Sequence, residues 1–476
     1  MQLKLTETGL ASRHRLDAFL EFLAIATADT VESFLEENYV PVYAARDPIE
    51  RRIADFMEWK ARGGFEIVEI ASAEALHIET VARHPITDEH LRLVVELDGA
   101  PPHRIGALKL GRSPMPPLST PPKDQAAADA FMDYVAQLSS HGLFSGAVLI
   151  ARHGRILGQA AHGFANRDFE VPNTLETRFN VASLSKSWTA VAIVQLIEAG
   201  ELDFEDPVSR FIDYPDPQSA ARIQIRHLLS HTAGLGSYFT PEFDRTSRRD
   251  MRSVDDFLAL TRREVPVFEP GTAWKYSNTG MVMLGKIIER ISRWTYFDFV
   301  EENVLARAGM KHSAFLELDE VNPDTAVGYH RTWSARGPRV INSVFEGVVK
   351  GGPAGCGYAT VGDVFGFAEA LKGGKLVSPA MVETMTTAKP DLGSPDYGYG
   401  FAIHPQRALY GHSGGLVGAS ANLDITCDPE GWVIVIAAND LSMRAPTLKA
   451  RQLIGVTVPE AEEGRSYLPR AGLTAR

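Results

Sequence analysis

Hydrophobic and polar residues follow two different periods within the first 112 residues of the chain. In the first half, apolar residues recur at helical spacing, at Leu16, Phe19, Leu20, Leu23 and Ala24. A second helix is predicted over residues 49–59. From Phe65 onward the apolar positions alternate, which predicts four strands, over residues 65–70, 75–82, 91–97 and 104–110. Helices followed by an antiparallel sheet predict a small α+β accessory domain over residues 1–112.

A dense run of prolines separates this region from the rest of the chain. Residues 113–123 contain five prolines, and proline-rich segments are extended and semi-rigid, so an interdomain linker is predicted there. The remainder is predicted to form one large domain over residues 124–460, followed by a C-terminal tail over 461–476.

The large domain begins and ends with predicted strands and is mainly helical between them. A helix over 124–140 precedes strands over 146–152 and 155–163, which flank a turn at His153-Gly154. Helices are predicted near residues 183–199, 253–263, 277–293, 296–308, 361–373 and 378–387. Strands over 419–427 and 432–439 flank a turn at 428–431, and a last helix covers 445–454. Strands at both ends predict one antiparallel sheet closed by both ends of the domain and flanked by helices, beside an all-helical region.

Composition narrows the class of protein. With 476 residues the chain is too long for one typical core, and 45% hydrophobic and 23% charged residues are ordinary values for a soluble protein. The net charge of −12 and the lack of basic runs argue against nucleic-acid binding. The sequence shows no apolar run long enough for a membrane span. Because the first residues do not resemble a secretory signal, a cytoplasmic location is expected, or a periplasmic one if a signal has been removed.

Only two cysteines occur, Cys356 and Cys427, and their positions do not resemble a metal site. Both are predicted to be small buried residues. Neither a metal nor an organic cofactor is expected.

The first motif with catalytic potential is Ser183-Leu184-Ser185-Lys186, at the start of an apolar helical run. Residues three apart share a helix face, so the Lys186 amine lies within reach of the Ser183 hydroxyl. A desolvated lysine can accept the proton of a serine nucleophile, and N–H groups at a helix N-terminus suit a developing oxyanion. A capped helix with a surface lysine is the alternative interpretation of this motif.

The second motif is Tyr276-Ser277-Asn278, which precedes a predicted helix. A tyrosine can relay a proton when positive charge is near, and an asparagine can hydrogen-bond both a lysine and a substrate amide. The alternative is a helix cap made by Ser277 or Asn278.

The third motif is Gly411-His412-Ser413-Gly414-Gly415. Its glycines would let a substrate backbone approach a strand edge. The motif also fits a nucleophile elbow centred on Ser413, which requires a helix directly after the serine. Residues 416–421 are strand-like instead, so Ser413 is disfavoured as the nucleophile. A serine and a histidine are also adjacent at Ser230-His231. Because adjacent residues seldom face each other on a helix, this pair is predicted to be structural and not catalytic.

In this order, the three motifs resemble the serine β-lactamase and penicillin-binding protein superfamily, and most of all its branch of class C β-lactamases, D-aminopeptidases and family VIII esterases. Further segments carry the same resemblance: residues 146–154, 179–182, 225–235 and 357–363. The resemblance spans roughly residues 125–457 and leaves out 1–112. It implies a β-lactamase-like catalytic domain.

The resemblance also implies roles for individual residues. It makes Ser183 the nucleophile, Lys186 the acceptor of its proton and Tyr276 a second general base and acid. Substrate-binding positions are implied at Asn278, His412, Ser413 and Gly414. The backbone N–H groups of Ser183 and Gly415 would form the oxyanion hole.

One position departs from the family pattern. Lactamases of this branch usually carry lysine where this sequence has His412, and histidine is only partly charged near neutral pH. The expected activity is therefore hydrolysis of a small ester or peptide through an acyl-enzyme on Ser183. The alternatives are β-lactamase or D,D-peptidase activity and a non-catalytic sensor of the penicillin-binding type.

The sequence leaves three roles open for residues 1–112: dimerisation, covering the active-site mouth and stabilising the fold. A homodimer is therefore one expectation.

Overall fold

The computed structural model describes residues 7–214, 216–262, 264–334, 337–404, 409–427 and 431–456. The N-terminal region has four helices, α1 (Glu7–Ile25), α2 (Val31–Asn38), α3 (Pro41–Ala44) and α4 (Ile49–Ala61). They precede an antiparallel sheet of consecutive strands, β1 (Glu66–Glu74), β2 (His77–Arg83), β3 (His90–Leu97) and β4 (Ile105–Arg112). The two predicted helices and the four predicted strands are confirmed. The short helices α2 and α3 were not predicted.

A hydrophobic core of its own holds the N-terminal region together. Phe19 of α1 is fully buried, and its ring lies 5.8 Å from that of Phe56 and 6.2 Å from that of Phe65. In β2 alternate residues are buried, Ile78 and Ala82 among them, as expected for a sheet covered on one face.

The rest of the chain contains eleven further helices and twelve further strands in the described residues. The helices are α5 (Asp124–Ser140), α6 (Lys186–Glu198), α7 (Pro217–Arg222), α8 (Ile225–Leu229), α9 (Pro241–Arg245), α10 (Val254–Ala259), α11 (Asn278–Ser292), α12 (Tyr296–Val300), α13 (Val361–Lys372), α14 (Pro379–Met385) and α15 (Arg444–Leu453). The strands are β5 (Gly146–Arg152), β6 (Arg155–His162), β7 (Phe164–Asn166), β8 (Val171–Pro172), β9 (Phe179–Asn180), β10 (Tyr329–Ser334), β11 (Gly337–Asn342), β12 (Tyr358–Ala359), β13 (Ala402–His404), β14 (Leu409–Leu416), β15 (Ala419–Thr426) and β16 (Trp432–Ala438).

Most sequence predictions for this part match these elements. The predicted helix over 253–263 is shorter, because α10 ends at Ala259, and the helix over 296–308 changes from α12 into a π-helical turn over Glu301–Ala306. The hairpin of β10 and β11 was not predicted. Residues 428–430 of the predicted turn and the whole tail over 461–476 lie outside the described residues.

The large sheet has the strand order β13-β14-β15-β16-β5-β6, and its neighbouring strands are all antiparallel. Because β16 pairs with β5, the two ends of the domain meet in the middle of the sheet, as predicted. The turn between β5 and β6 has positive φ at both His153 (53°) and Gly154 (70°), as a tight hairpin turn requires.

The central strands are buried on both faces, and their side chains divide between two cores. In β5, Val148 and Ile150 pack with α5 and α15. The alternate residues Ala147 and Leu149 join the core around α6 on the opposite face. Successive side chains of a strand point to opposite faces of the sheet. Because both faces of β5 are covered by a core, every residue of the strand can be apolar.

The proline-rich segment lies against the C-terminal helix. Met115 is buried, and the Pro116 carbonyl accepts a hydrogen bond from Gln452 Nε2 at 2.8 Å. The division into domains at residue 112 stays a prediction. None of the helices in the described ranges is long and apolar enough to cross a membrane.

A buried carboxylate joins the N-terminal region to α15. Glu89 is 2% exposed and bridges Arg62 (2.7 Å) and Arg444 (2.9 Å). Although burial opposes ionisation, the two guanidinium groups hold the pKa of Glu89 below its usual range. The charge therefore stays on Glu89, and the bridge contributes to docking of the two regions.

Replacing the buried carboxylate should weaken this docking. We expect Glu89→Gln to lower the free energy of unfolding by about 1–3 kcal/mol, because two partly buried arginines lose their common partner. Urea unfolding followed by circular dichroism measures this change. The matched control is Glu58→Gln, which removes the half-exposed partner of the same Arg62 at 3.0 Å and should cost less than about 0.5 kcal/mol. Equal losses from both variants would contradict the assignment.

Candidate active site

Ser183 lies in a short 3₁₀ helix, Ala182–Ser185, here called the Ser183 turn. The α-helix was predicted from residue 183, but α6 begins at Lys186. Ala182 has a left-handed φ of 47°. This conformation is held by two hydrogen bonds: Ala182 N donates to Asn180 Oδ1 at 2.9 Å, and Cys356 N donates to Ala182 O at 3.0 Å. The turn is thus fixed from both sides, and Ser183 stays half-buried.

Lys186 is fully buried directly behind Ser183. Its Nζ lies 2.9 Å from Ser183 Oγ and also donates to the carbonyl of Ala354. Burial lowers the pKa of Lys186 to about 7, because the charged amine is desolvated. A surface lysine, the alternative interpretation, is wrong. Near neutral pH a large fraction of this amine is uncharged and able to accept a proton from the Ser183 hydroxyl.

Tyr276 covers the other side of this amine. Lys186 Nζ lies 4.9 Å from the centroid of the Tyr276 ring, so the second motif meets the first. Ser277 caps α11 by accepting a hydrogen bond from Gly280 N at 2.9 Å. Asn278 is buried at the first turn of α11, and its Nδ2 donates to Ser237 Oγ at 2.9 Å. The motif therefore serves as a helix cap and as a wall of the site.

Strand β14 crosses the Ser183 turn in direct contact. A Cβ atom on Gly414 would lie 2.2 Å from Val181 O and 2.8 Å from Ser183 N, which only a glycine avoids. Gly415, the next residue, is half-buried. The third motif is thereby brought against the first.

Ser413 lies within β14 and is followed by the β14–β15 hairpin, not by a helix. The nucleophile-elbow interpretation of Ser413 therefore does not apply. On its other side β14 pairs with β13 only from Leu409 to Gly411. Residues 412–416 thus extend beyond the last β13 pair, and this length of strand edge runs past the Ser183 turn.

His412 is 4% exposed and held at both ring nitrogens. Its Nδ1 donates to the carbonyl of Ser413 at 2.6 Å, and its Nε2 lies 2.9 Å from the Tyr397 hydroxyl. Burial, together with the nearby Lys186 charge, lowers the pKa of His412 to about 3. This imidazole is therefore neutral across the physiological range, which goes further than the partial charge expected from the sequence.

Sequence reasoning missed two residues that pack against this site. Tyr397 bonds His412 although it lies outside all three motifs. His231 is fully buried, and its ring lies 4.5 Å from Tyr276 and 4.7 Å from Tyr397. The segment 225–235 was the available signal for His231, but it was interpreted as structural only.

A cavity of about 230 Å³ lies beside β9 and the loop at Cys356, and the residues of the Ser183 turn are not among those that line it. Asn180, Cys356 and Tyr358 line one side of it, and the segment 416–419 after the third motif lines another. The rest of its wall comes from residues within 318–328 and 343–348, and from Asn439.

The prediction of two buried cysteines is wrong. Cys356 is half-buried at the cavity wall, and Cys427 is exposed. Cys427 directly follows the last residue of β15, where the chain leaves the sheet and loses its cover.

Comparison with known proteins identifies the family and the fold of the chain. The Beta-lactamase family model matches residues 125–457. Penicillin-binding protein 4* of Bacillus subtilis is 31% identical over 65% of this chain and 72% of its own length. Esterase EstB of Burkholderia gladioli is 31% identical over 43% of this chain and 54% of its own. The crystal structure of a penicillin-binding protein from Bacillus halodurans superposes with a TM-score of 0.58 at 30% identity, covering 64% of this chain and 94% of that one.

These similarities confirm the superfamily and the fold expected from the three motifs. The match to the family model extends over more than half of the chain and includes the Ser183 turn, Tyr276 and β14. The chain therefore belongs to the Beta-lactamase family.

Proposed function

We propose that this protein is a serine hydrolase that cleaves an ester or amide bond through an acyl-enzyme on Ser183. The observation that carries the proposal is the buried Lys186 amine, 2.9 Å from Ser183 Oγ, with its pKa lowered to about 7 by burial. An amine with this pKa is largely unprotonated slightly above neutral pH, so its lone pair is free to accept the proton of the serine hydroxyl.

The first step is acylation. Ser183 Oγ attacks the substrate carbonyl carbon while its proton passes to Lys186 Nζ. In this proposal the oxyanion accepts hydrogen bonds from the backbone N–H groups of Ser183 and Gly415. The close contact of Gly414 with Ser183 N supports this arrangement, because Gly415 is the next residue of β14. Tyr276, against the Lys186 amine, passes a proton to the leaving alcohol or amine as the bond to it breaks.

The second step is deacylation. A water molecule gives a proton to the Tyr276–Lys186 pair and attacks the acyl carbon. The bond to Ser183 Oγ breaks, the serine regains its proton, and the carboxylic acid is released. Asn278, His412, Ser413 and Gly414 form the walls that orient the substrate in this proposal.

The neutral state of His412 favours substrates that need no carboxylate for recognition. A lysine at this position would hold the carboxylate of a β-lactam or of a peptide terminus, whereas an imidazole with a pKa near 3 carries no charge to do so. Small neutral esters and amides are compatible with the uncharged His412 side of the site, and the similarity to an esterase supports this substrate class. The similarity to penicillin-binding proteins keeps β-lactam or D,D-peptide turnover as the second candidate.

Covalent labelling tests the nucleophile. A fluorophosphonate probe should label Ser183, and Ser183→Ala should lose both the label and at least about a thousandfold in ester turnover. Peptide mass mapping of the labelled protein identifies the site, with heat-unfolded protein as the control for unspecific reaction. A label on Ser413, or labelling that persists in Ser183→Ala, would contradict the proposal. Labelling of Ser183 without turnover of any ester, amide or β-lactam would favour a non-catalytic sensor.

The pH dependence tests the role of Lys186. A base must be unprotonated to act, so kcat/KM for a neutral ester should rise with pH and reach half its maximum near pH 7, the pKa of the buried amine. Lys186→Arg should lose about a hundred- to ten-thousandfold in kcat. The matched control is Lys389→Arg, because burial also lowers the pKa of Lys389, to about 8, but Lys389 Nζ bonds to the carbonyls of Thr384 and Thr387. A profile flat from pH 5 to 9, or equal losses from both variants, would exclude this base.

A matched pair of substrates tests the role of His412. We expect a chromogenic cephalosporin and its carboxyl methyl ester to differ in kcat/KM by less than about tenfold, which corresponds to about 1.4 kcal/mol. His412→Lys should shift the ratio towards the free acid, since the new ammonium attracts a carboxylate. Strong preference of the unmodified enzyme for the free acid would contradict the proposed neutral substrate class.

A further inference from the structure

His231 holds the backbone on both sides of Tyr276. Its carbonyl accepts a hydrogen bond from Lys275 N at 2.9 Å, and its ring Nδ1 accepts one from Ser277 N at 3.3 Å. The ring itself lies 4.5 Å from the Tyr276 ring. One residue thus fixes the peptide groups before and after Tyr276 and packs against the side chain between them.

The position of His231 is an unfavourable one for a histidine. It follows Ser230, the C-cap of α8, and has a left-handed φ of 61°. Glycine and asparagine are the residues that helix ends favour at such a position. A histidine is strained there relative to glycine, and its side chain contributes a hydrogen-bond acceptor for Ser277 N that glycine lacks.

The state of the ring adds a second cost. Because Nδ1 accepts from a backbone N–H, the hydrogen of the neutral ring is on Nε2. Nε2 is buried and finds no hydrogen-bond partner among the residues that the structure describes. Burial and the nearby Lys186 charge keep the pKa of His231 well below its usual value, so the ring remains neutral. Strain and an unpaired donor at one residue are typical of functional sites.

We infer that His231 is a positioning residue that fixes Tyr276 against the Lys186 amine for proton transfer. The inference rests on the proposed function, in which Tyr276 exchanges protons with Lys186, the leaving group and water. His231 is not placed in contact with the substrate. Its effect on the rate should therefore pass entirely through the Tyr276 hydroxyl.

Two substitutions separate the acceptor from the backbone conformation. His231→Gly accepts a positive φ and removes the acceptor and the ring. His231→Asn also tolerates a positive φ, and its Oδ1 replaces Nδ1 as the acceptor for Ser277 N. With phenyl butyrate as substrate, we expect His231→Gly to lower kcat by about 10- to 100-fold with KM changed less than about threefold, and His231→Asn to recover kcat to within about fivefold.

A double-mutant cycle with Tyr276→Phe tests whether the effect passes through Tyr276. Phenylalanine keeps the ring and removes only the hydroxyl. In this background His231→Gly should change kcat by less than about twofold, because the group it positions is absent. Thermal unfolding of each variant checks that it is folded. If His231→Gly does not fold, His231→Gln, whose acceptor lies one bond further from the backbone, takes its place in the cycle.

The outcomes separate this inference from the proposed function. Additive losses in the cycle, a loss confined to KM, or no recovery with His231→Asn would overturn the positioning role of His231 while Ser183 and Tyr276 keep theirs. An unchanged kcat in Tyr276→Phe would overturn the proposed role of Tyr276 and with it this inference. If the unmodified protein turned over neither phenyl butyrate nor any other ester, amide or β-lactam, both the proposed function and this inference would be overturned.

Discussion

The burial of one amine is the constraint on which this site depends. Lys186 lies inside the protein with Ser183 Oγ and the Ala354 carbonyl as its hydrogen-bond partners. Burial in such surroundings destabilises the charged form of a lysine, so a group that is a cation on a protein surface is here partly uncharged and can act as a base. The packing of the Ser183 turn, the loop around residue 354 and the Tyr276 ring together keep water away from the amine.

Close backbone approach makes this enclosure possible. Gly414 lets β14 rest on the Ser183 turn, and Gly357 lets the loop before α13 pass the ring of Trp188, where a Cβ atom would lie 2.2 Å from a ring carbon. Both glycines are needed for their missing side chains and not for a special turn. The Gly414 contact also holds β14 against the backbone N–H of Ser183, so the packing that stabilises this turn also shapes the candidate site.

Local patterns account for what the sequence could predict. The i, i+3 spacing of Ser183 and Lys186 is set by helical geometry, and the apolar strands at both ends had to find one another in a sheet. Tyr397 could not be predicted, because its bond to His412 joins segments that only the tertiary fold brings together. The left-handed backbone conformation of His231 could not be predicted either, because left-handed φ values are typical of glycine. The hairpin of β10 and β11 lacks a strong alternating pattern, and Cys427 is exposed only because its strand ends one residue earlier.

The pairing of β5 with β16 has a consequence for how the protein is made. Nearly 300 residues separate Gly146 from its partner Ala438, and β14 is joined to β5 only through β15 and β16. During synthesis, Ser183 and Lys186 leave the ribosome long before the strand that will cover them. The nascent chain must therefore hold an incomplete sheet with two exposed apolar faces until its last strands arrive, which is the situation that chaperones relieve. A chain that stops before β16 would carry every motif of the site and still be unable to assemble it.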